Sequence, residues 1–305
     1  MTKEKTLLIM AAGMGSRFGG LKQIEPLGPQ GEFLIDYAIF DAVVAGFTKV
    51  VFVIKKENYQ IFKETIGKRV EPHIKTEYAF QDNSFIPKKY LAYLKQRTKP
   101  LGTAYAILCA KDKINGPFAV INADDFYGRD AYIKAYDYLD HIIYNHYGIV
   151  GYKVANTLTT NGVVKRGLCE VDNNKLLKIT ESKVTLKHHK IIAQALTSEK
   201  VVEINKDTIV SMNLLLFTPD IFSILEEELN FFLVRNQLDL STVEYQVPDI
   251  LDMCLRKNIK TIDIIETDAT WYGVTYKEDK DEVKTALTNL TMMGVYPHTL
   301  WKNNY

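Results

Sequence analysis

The sequence predicts an α/β protein on a doubly wound, mostly parallel sheet, with a more antiparallel lobe toward the C-terminus. Three observations predict it. Short β-branched and apolar runs alternate with stretches of helical spacing through the first half, the rhythm of parallel βαβ units. The first apolar run, 7–12, passes straight into a glycine-rich turn, Gly13-Met14-Gly15-Ser16-Arg17-Phe18-Gly19-Gly20. From about Gly148 strand-like runs follow one another with few helices between them, which suits antiparallel pairing.

Residues 7–12 are too short for a helix of their own and read as a buried strand. Residues 33–47 carry helical spacing and close at Gly46, a C-cap. The β-branched run 49–54 is a strand, 58–66 a short helix, and 74–81 a strand ending in Gln81. The polar, aromatic stretch 84–100 has no clear period and reads as a connection. Next come a helix at 103–110, a strand at 118–122 and an aromatic-rich helix at 129–144. Strands follow at 149–154, 168–171, 176–179 and 209–217, with Asp172-Asn173-Asn174 as a hairpin turn. Helices at 219–233, 247–257 and 277–290, and a strand at 260–265, complete the chain. No repeat, low-complexity tract or composition break marks a linker, so 1–305 reads as one domain.

A chain of 305 residues, 47% hydrophobic and 25% charged, can bury a sizeable core. Its 38 basic and 37 acidic residues nearly cancel, which leaves no electrostatic footprint for nucleic acid or a membrane surface. No run approaches the roughly 18 apolar residues of a membrane span. Lys3 and Lys5 before the first apolar run imitate a signal peptide, but that run enters the glycine turn directly and reads as a strand. Cys109, Cys169 and Cys254 lack metal-ligand spacing and read as reduced thiols of a cytoplasmic protein. The histidines His73, His141, His146, His188, His189 and His298 show no ligand spacing with acids.

Gly13 and Gly15 allow positive φ and close backbone approach to a ligand. Successive N–H groups in such a turn form an anion-binding concavity. Arg17 and Lys22 add a bidentate and a point cation, and the whole describes a triphosphate cradle. It matches neither common phosphate loop, since the Walker pattern is absent and Phe18 stands at the third glycine of the dinucleotide fingerprint. A second cluster ends the strand 117–123 in two carboxylates, Asp124 and Asp125. In an open α/β sheet that end faces the ligand crevice. Two acids beside a triphosphate call for a hard cation such as Mg²⁺, although one of them can instead cap the next helix. Gly102 and Thr103 open a helix whose free N–H groups and small side chains admit a flat ring.

The run A-A-G-x-G-S-R-x-G-G-x-K-Q at 11–23 resembles the signature loop of the nucleotidyltransferases that join a nucleoside triphosphate to a sugar or alcohol phosphate. Its short interval from Arg17 to Lys22 is more similar to the cytidylyltransferase and molybdopterin-type branches than to the sugar nucleotide pyrophosphorylases. The resemblance implies a Rossmann-like, GT-A-like nucleotidyltransferase fold. It places Ala11, Ala12, Gly13, Gly15 and Ser16 along the nucleotide, Arg17 on the β/γ-phosphates and Lys22 on the α-phosphate. Residues 117–124 are similar to P-F-A-V-L-L-P-D of bacterial UDP-glucose pyrophosphorylases, which implies Asp124 as the metal aspartate. Residues 102–106 resemble the G-[TL]-[AG]-x-A segment, implying Gly102 and Thr103 at base and ribose and Gln81 at the base edge.

The later motifs resemble the family more loosely. Residues 179–183 are similar to I-x-E-K, implying Glu181 on sugar hydroxyls and Lys183 on the acceptor phosphate, with Ser182 inserted between them. Asn213, before Phe217, resembles the N-x-G-x-Y-x-F strand of the sugar pocket, with Leu215 in the glycine's place. Residues 244–250 match the E-x-x-L-x-D helix start and read as structural. Residues 271–276 depart from W-x-D-x-G-T: Gly273 stands where relatives carry a second metal aspartate, leaving Asp268 or water to complete the shell. No hexapeptide period follows.

The resulting expectation is a cytoplasmic, Mg²⁺-dependent enzyme that transfers NMP from an NTP to a sugar 1-phosphate and releases pyrophosphate. Arg17, Lys22 and Asp124 are its catalytic candidates, and Asp124, Asp125 and Asp268 its metal candidates. Residues 1–147 would form the nucleotide-binding half, 148–290 the acceptor-binding half and 291–305 a tail. A cytidylyltransferase for an alcohol or choline-type phosphate, a metal-dependent glycosyltransferase and a non-catalytic nucleotide sensor stay open as alternatives. Partners are the two substrates, with neither nucleic acid nor membrane; a homo-oligomer is compatible with this composition.

Overall fold

The computed structural model describes residues 4–13, 25–159 and 161–301. The chain opens with β1 (Thr6–Met10), α1 (Leu34–Ala45) and β2 (Lys49–Ile54). Helix α1 closes at Gly46 in the left-handed region (φ 108°), as the spacing predicts. The expected short helix is longer and irregular: α2 (Tyr59–Phe62), a π-helical turn and α3 (Lys68–Val70). Then come β3 (Lys75–Phe80), α4 (Leu91–Leu94) inside the expected connection, α5 (Thr103–Leu108), β4 (Phe118–Asn122), the two-residue β5 (Asp125–Phe126) and α6 (Arg129–Asp140). The second half holds β6 (His146–Lys153), β7 (Val164–Asp172), β8 (Lys175–Lys187), β9 (Lys190–Ala195), β10 (Val201–Ile204) and β11 (Ile209–Phe217). It ends with α7 (Ile221–Arg235), α8 (Val247–Arg256), β12 (Thr261–Thr267), β13 (Tyr272–Gly273) and α9 (Asp279–Met292).

Eleven of these strands form one mixed sheet, in the order β10-β9-β8-β12-β6-β11-β4-β1-β2-β3, with β7 between β8 and β11. This corrects the expectation of a mostly parallel sheet. Pairing is parallel along β4-β1-β2-β3 and between β6 and β12, and antiparallel elsewhere. The physical reason is two tight hairpins. Asn173-Asn174 joins β7 to β8, and His188-His189 joins β8 to β9, with all four residues at positive φ. Two such residues in succession suit the twist of a two-residue hairpin loop. The first hairpin is legible from its asparagines. The second is not, so β9, which buries only Ile191 and Ala193, and β10, half-buried to exposed, escape a reading based on apolar runs.

Strand alternation divides the core between the two faces of the sheet. Leu8, Val51 and Val53 pack on one face with α5, α7 and α8. Leu7, Ile9, Val50 and Phe52 pack on the other with α1 and α6. A third cluster joins α1 and α9 to Phe126, Tyr296 and Leu300. Residues 291–301 are therefore not a tail in the packing sense. Tyr296 and Leu300 are each 1% exposed, and the Tyr296 hydroxyl donates to buried Asp41 at 2.5 Å. No helix among the described residues is long and apolar enough to cross a membrane.

Candidate active site

The parallel strands end in line. Met10 lies opposite both Val53 and Asn122, and Ile54 opposite Phe80. Pairing continues one residue further, with Ala11 N–H donating to Val53 O (2.8 Å), Gln81 N–H to Ile54 O (2.9 Å) and Ala123 N–H to Met10 O (3.2 Å). Ala11, Ala12, Gly13, Gln81 and Asp124 thus leave the sheet along one carboxyl edge, the edge where open α/β sheets bind ligands. Ala11 and Ala12 are buried, and a Cβ on Gly13 would meet nothing within 4 Å among the described residues. Gly15, Ser16, Arg17 and Lys22 lie outside the described residues.

Gln81 reaches Gly102, its Nε2 donating to the glycine carbonyl at 3.3 Å. Gly102 has φ +127°, and a Cβ there would sit 2.2 Å from the Tyr245 carbonyl oxygen. Glycine meets both demands, the backbone angle and the close approach. Residues 101–104 are stitched to 245–247: Tyr245 N–H donates to Leu101 O (2.6 Å) and Ala104 N–H to Tyr245 O (3.0 Å). The Thr103 hydroxyl accepts the Val247 N–H at 3.0 Å, holding the start of α8. Residues 244–250 are accordingly structural, as read, and Thr103 supports α8 while keeping its own O–H to donate.

The two carboxylates differ. Asp124 is exposed and Asp125 half-buried. Helix α6 is capped at Gly128 and carries Asp130 in its first turn, so neither aspartate caps it. Asp125 Oδ2 accepts from Asn122 Nδ2 (2.8 Å) and from the Tyr127 hydroxyl (3.2 Å). Burial, followed by repulsion from Asp124, nevertheless pushes the Asp125 carboxyl up to about 7. Paired acids that resist joint ionisation form a donor set a hard divalent cation relieves.

Tyr127, which sequence reasoning missed, ties this pair to the second half. It is 1% exposed. Its oxygen accepts the Asn122 N–H (3.1 Å), and its one proton lies between Asp125 Oδ2 and the Met212 carbonyl (3.0 Å). The next residue, Asn213, has φ +64° inside a bulge of β11 between Ser211 and Leu215. A non-glycine residue held there in a strand is a strained position of the kind that clusters at functional sites.

The acceptor candidates form a row beside this bulge. Glu181 on β8 pairs with Gly167 on β7, and Gly167 pairs with Ser211 on β11. Ser211 Oγ accepts the Asn213 N–H at 3.3 Å. Burial raises the Glu181 carboxyl, Lys165 pulls it back and Asp249 pushes it further. Lys183 is exposed and lies directly opposite exposed Lys165. Like charges opposed across strands are unfavourable on their own. An anion between them removes the conflict. Lys165 was missed because its strand partner sits eighteen residues away in the sequence.

Gly273 pairs with Asp125 between β13 and β5. A Cβ there would fall 2.2 Å from the Trp271 ring, so no side chain fits while that indole is in place. The Arg166 guanidinium lies over the ring at 4.6 Å. Arg166 is 5% exposed and bonded to Thr157 Oγ1 (3.0 Å), the Lys165 carbonyl (2.8 Å) and the Thr157 carbonyl. Thr157, Arg166, Trp271, Gly273 and Asp279 line a small cleft. Asp268, the stand-in expected for the missing aspartate, is 81% exposed and paired with Lys153 at 2.9 Å, which holds its carboxyl low. It does not join Asp124 and Asp125, and no group of three or more His, Cys, Asp or Glu is placed to hold a metal among the described residues.

The family model for nucleotidyl transferases matches residues 6–274. Compared by sequence, the chain has no match among curated proteins. Among solved structures it is similar to a putative glucose-1-phosphate thymidylyltransferase from Bacillus anthracis, in complex with a sucrose. That match has 15% identity and a TM-score of 0.62, covering 93% of this chain and 95% of the other. The inositol-1-phosphate CTP transferase from T. maritima matches with 10% identity, a TM-score of 0.60 and 92% and 95% coverage. A UDP-glucose pyrophosphorylase complexed with UDP-glucose matches with 20% identity, a TM-score of 0.56 and 92% and 97% coverage.

Proposed function

The chain belongs to the nucleotidyl transferase family, and from that premise we propose that it transfers NMP from an NTP to a sugar 1-phosphate, releasing pyrophosphate. The observation that carries this reading is the continuity of the site. The nucleotide edge (Ala11, Ala12, Gly13, Gln81, Gly102) runs through Asp125 and Tyr127 into the row Asn213, Ser211, Glu181. A glycosyltransferase has no need of a triphosphate cradle at 11–23, and a nucleotide sensor would release no pyrophosphate.

In the reaction, an oxygen of the acceptor phosphate forms a bond to the α-phosphorus while the bridging bond to the β-phosphate breaks. The nucleophile is already an anion, so catalysis is mainly positioning and charge neutralisation. Lys22 takes the α-phosphate, Arg17 the β/γ-phosphates, and Gly15 and Ser16 extend the cradle from Gly13. Thr103 and Gly102 meet the ribose and base, with Gln81 at the base edge. Lys183 and Lys165 receive the acceptor phosphate; Glu181 and Asn213 hold its hydroxyls. Asp124 and Asp125 would hold Mg²⁺, which when bound neutralises phosphate charge; Asp268 is left out of this set. The halves 1–147 and 148–290 then divide nucleotide from acceptor, and the free Cys109, Cys169 and Cys254 suit the cytoplasm.

The test is a matrix of the common NTPs against sugar 1-phosphates, alcohol phosphates and choline phosphate, read by pyrophosphate release with and without Mg²⁺. Metal-dependent release with at least one sugar 1-phosphate is expected. Release with alcohol phosphates alone would replace the acceptor class, and none with any pair would remove the enzyme reading.

A further inference from the structure

Helix α7 buries Ile221, Phe222, Leu225, Leu229 and Leu233 against the sheet. Its opposite face is not polar. Phe231 is 53% exposed, Val234 62% and Leu238, in the turn that continues the helix, 85%. At 3.6 residues per turn these three fall on one stripe. Exposed Glu227 and Arg235 flank the stripe, one turn before and one turn after Phe231. Neither side chain has an ion pair or hydrogen bond among the described residues, whereas Glu226 and Glu228 on the same helix pair with Lys111 and Lys257.

We propose that this face of α7 pairs two copies of the chain about a two-fold axis at Phe231. The spacing is self-complementary, which is what a two-fold interface demands. Antiparallel packing centred on residue 231 sets each Glu227 against Arg235 of the second copy, since both lie four residues from the centre. The same operation sets Leu238 over Ile224, seven residues from the centre and half-buried. Phe231 meets its own counterpart on the axis. Phe231 and Leu238 thus each meet an apolar residue and Glu227 meets Arg235, while Val234, three residues from the centre, lies over Glu228, whose carboxylate is already paired with Lys257. One helix pair covers less than the roughly 1,600 Å² of a standard interface, so the dimer belongs to the weak, reversible class.

Sedimentation velocity on the full chain, from low to high micromolar protein, tests this. The wild type should show a monomer–dimer equilibrium. Glu227→Arg and Arg235→Glu each set two like pairs against each other and should weaken association by about tenfold or more. The double variant Glu227→Arg/Arg235→Glu exchanges the charges and should return to within about threefold of wild type. Its recovery also shows that the single variants fold. A wild type that stays monomeric throughout, or a dimer that the double variant does not recover, overturns the proposal.

Discussion

Replacing Asp125 by Asn should make the metal-free protein more stable at neutral pH while weakening its site. The folded carboxyl, pushed up to about 7 by burial and by Asp124, compares with 3.8 for the free group. Below pH 3.8 both folded and unfolded chains hold the proton, and the environment of Asp125 costs nothing in charge. Between 3.8 and about 7 the unfolded chain releases its proton and the folded one does not, so stability falls as pH rises. Above about 7 the loss is complete. A gap of about three pH units at about 1.36 kcal/mol each sets a ceiling near 4 kcal/mol, and partial solvent access lowers it to about 2–4 kcal/mol. Asn keeps an acceptor oxygen for the Asn122 and Tyr127 donors and does not titrate. Urea unfolding of both proteins in chelator, from about pH 3.5 to 8, should show the variant gaining those 2–4 kcal/mol across the range. Titrating groups that do not interact with Asp125 cancel in the difference; Asp124, which repels it, does not. Mg²⁺ with NTP at pH 8 should then narrow the gap, because ligand bound to the native wild type stabilises it by mass action. A stability difference that stays flat over this range, within about 0.5 kcal/mol, would refute the account of Asp125.

Tyr127→Phe removes the one oxygen that serves Asn122, Asp125 and Met212 together. It should cost about 2–4 kcal/mol in urea and raise the Mg²⁺ requirement; a change below about 1 kcal/mol would show that water replaces the hydroxyl. Gly102→Ala forces a side chain to φ +127° and against the Tyr245 carbonyl. A loss of about 3 kcal/mol or more and weaker NTP binding by calorimetry are expected, and an unchanged melting point would contradict the packing described. Lys22→Ala should lower turnover at least about a hundredfold with the unfolding midpoint unchanged; wild-type turnover would remove the triphosphate cradle.

Local chemistry made much of this protein legible in its sequence. The C-cap at Gly46, the Asn173-Asn174 hairpin, the strand 209–217 and the start of α8 each rest on a few neighbouring residues. Backbone sterics and side-chain period act over that short range. The pairing of Asp124 with Asp125 was equally local, and so was the absence of an acid at 273. What only the tertiary structure decided depends on residues far apart in the chain. Sheet order and strand direction follow from which hairpins close, and His188-His189 carries no composition signal for its turn. Tyr296 and Leu300 pack because Asp41 and Arg129 await the Tyr296 ring and hydroxyl. Tyr127 joins the carboxylates to the β11 bulge across 85 residues. Lys165 gains meaning only opposite Lys183. Gly273 is explained by the Trp271 ring that fills its side-chain space, and Asp268 loses its expected role to Lys153. A sequence states which groups are available at each position. Which of them meet is settled by long-range packing, because the core accepts one arrangement of its two faces and that arrangement sets every distance at the site.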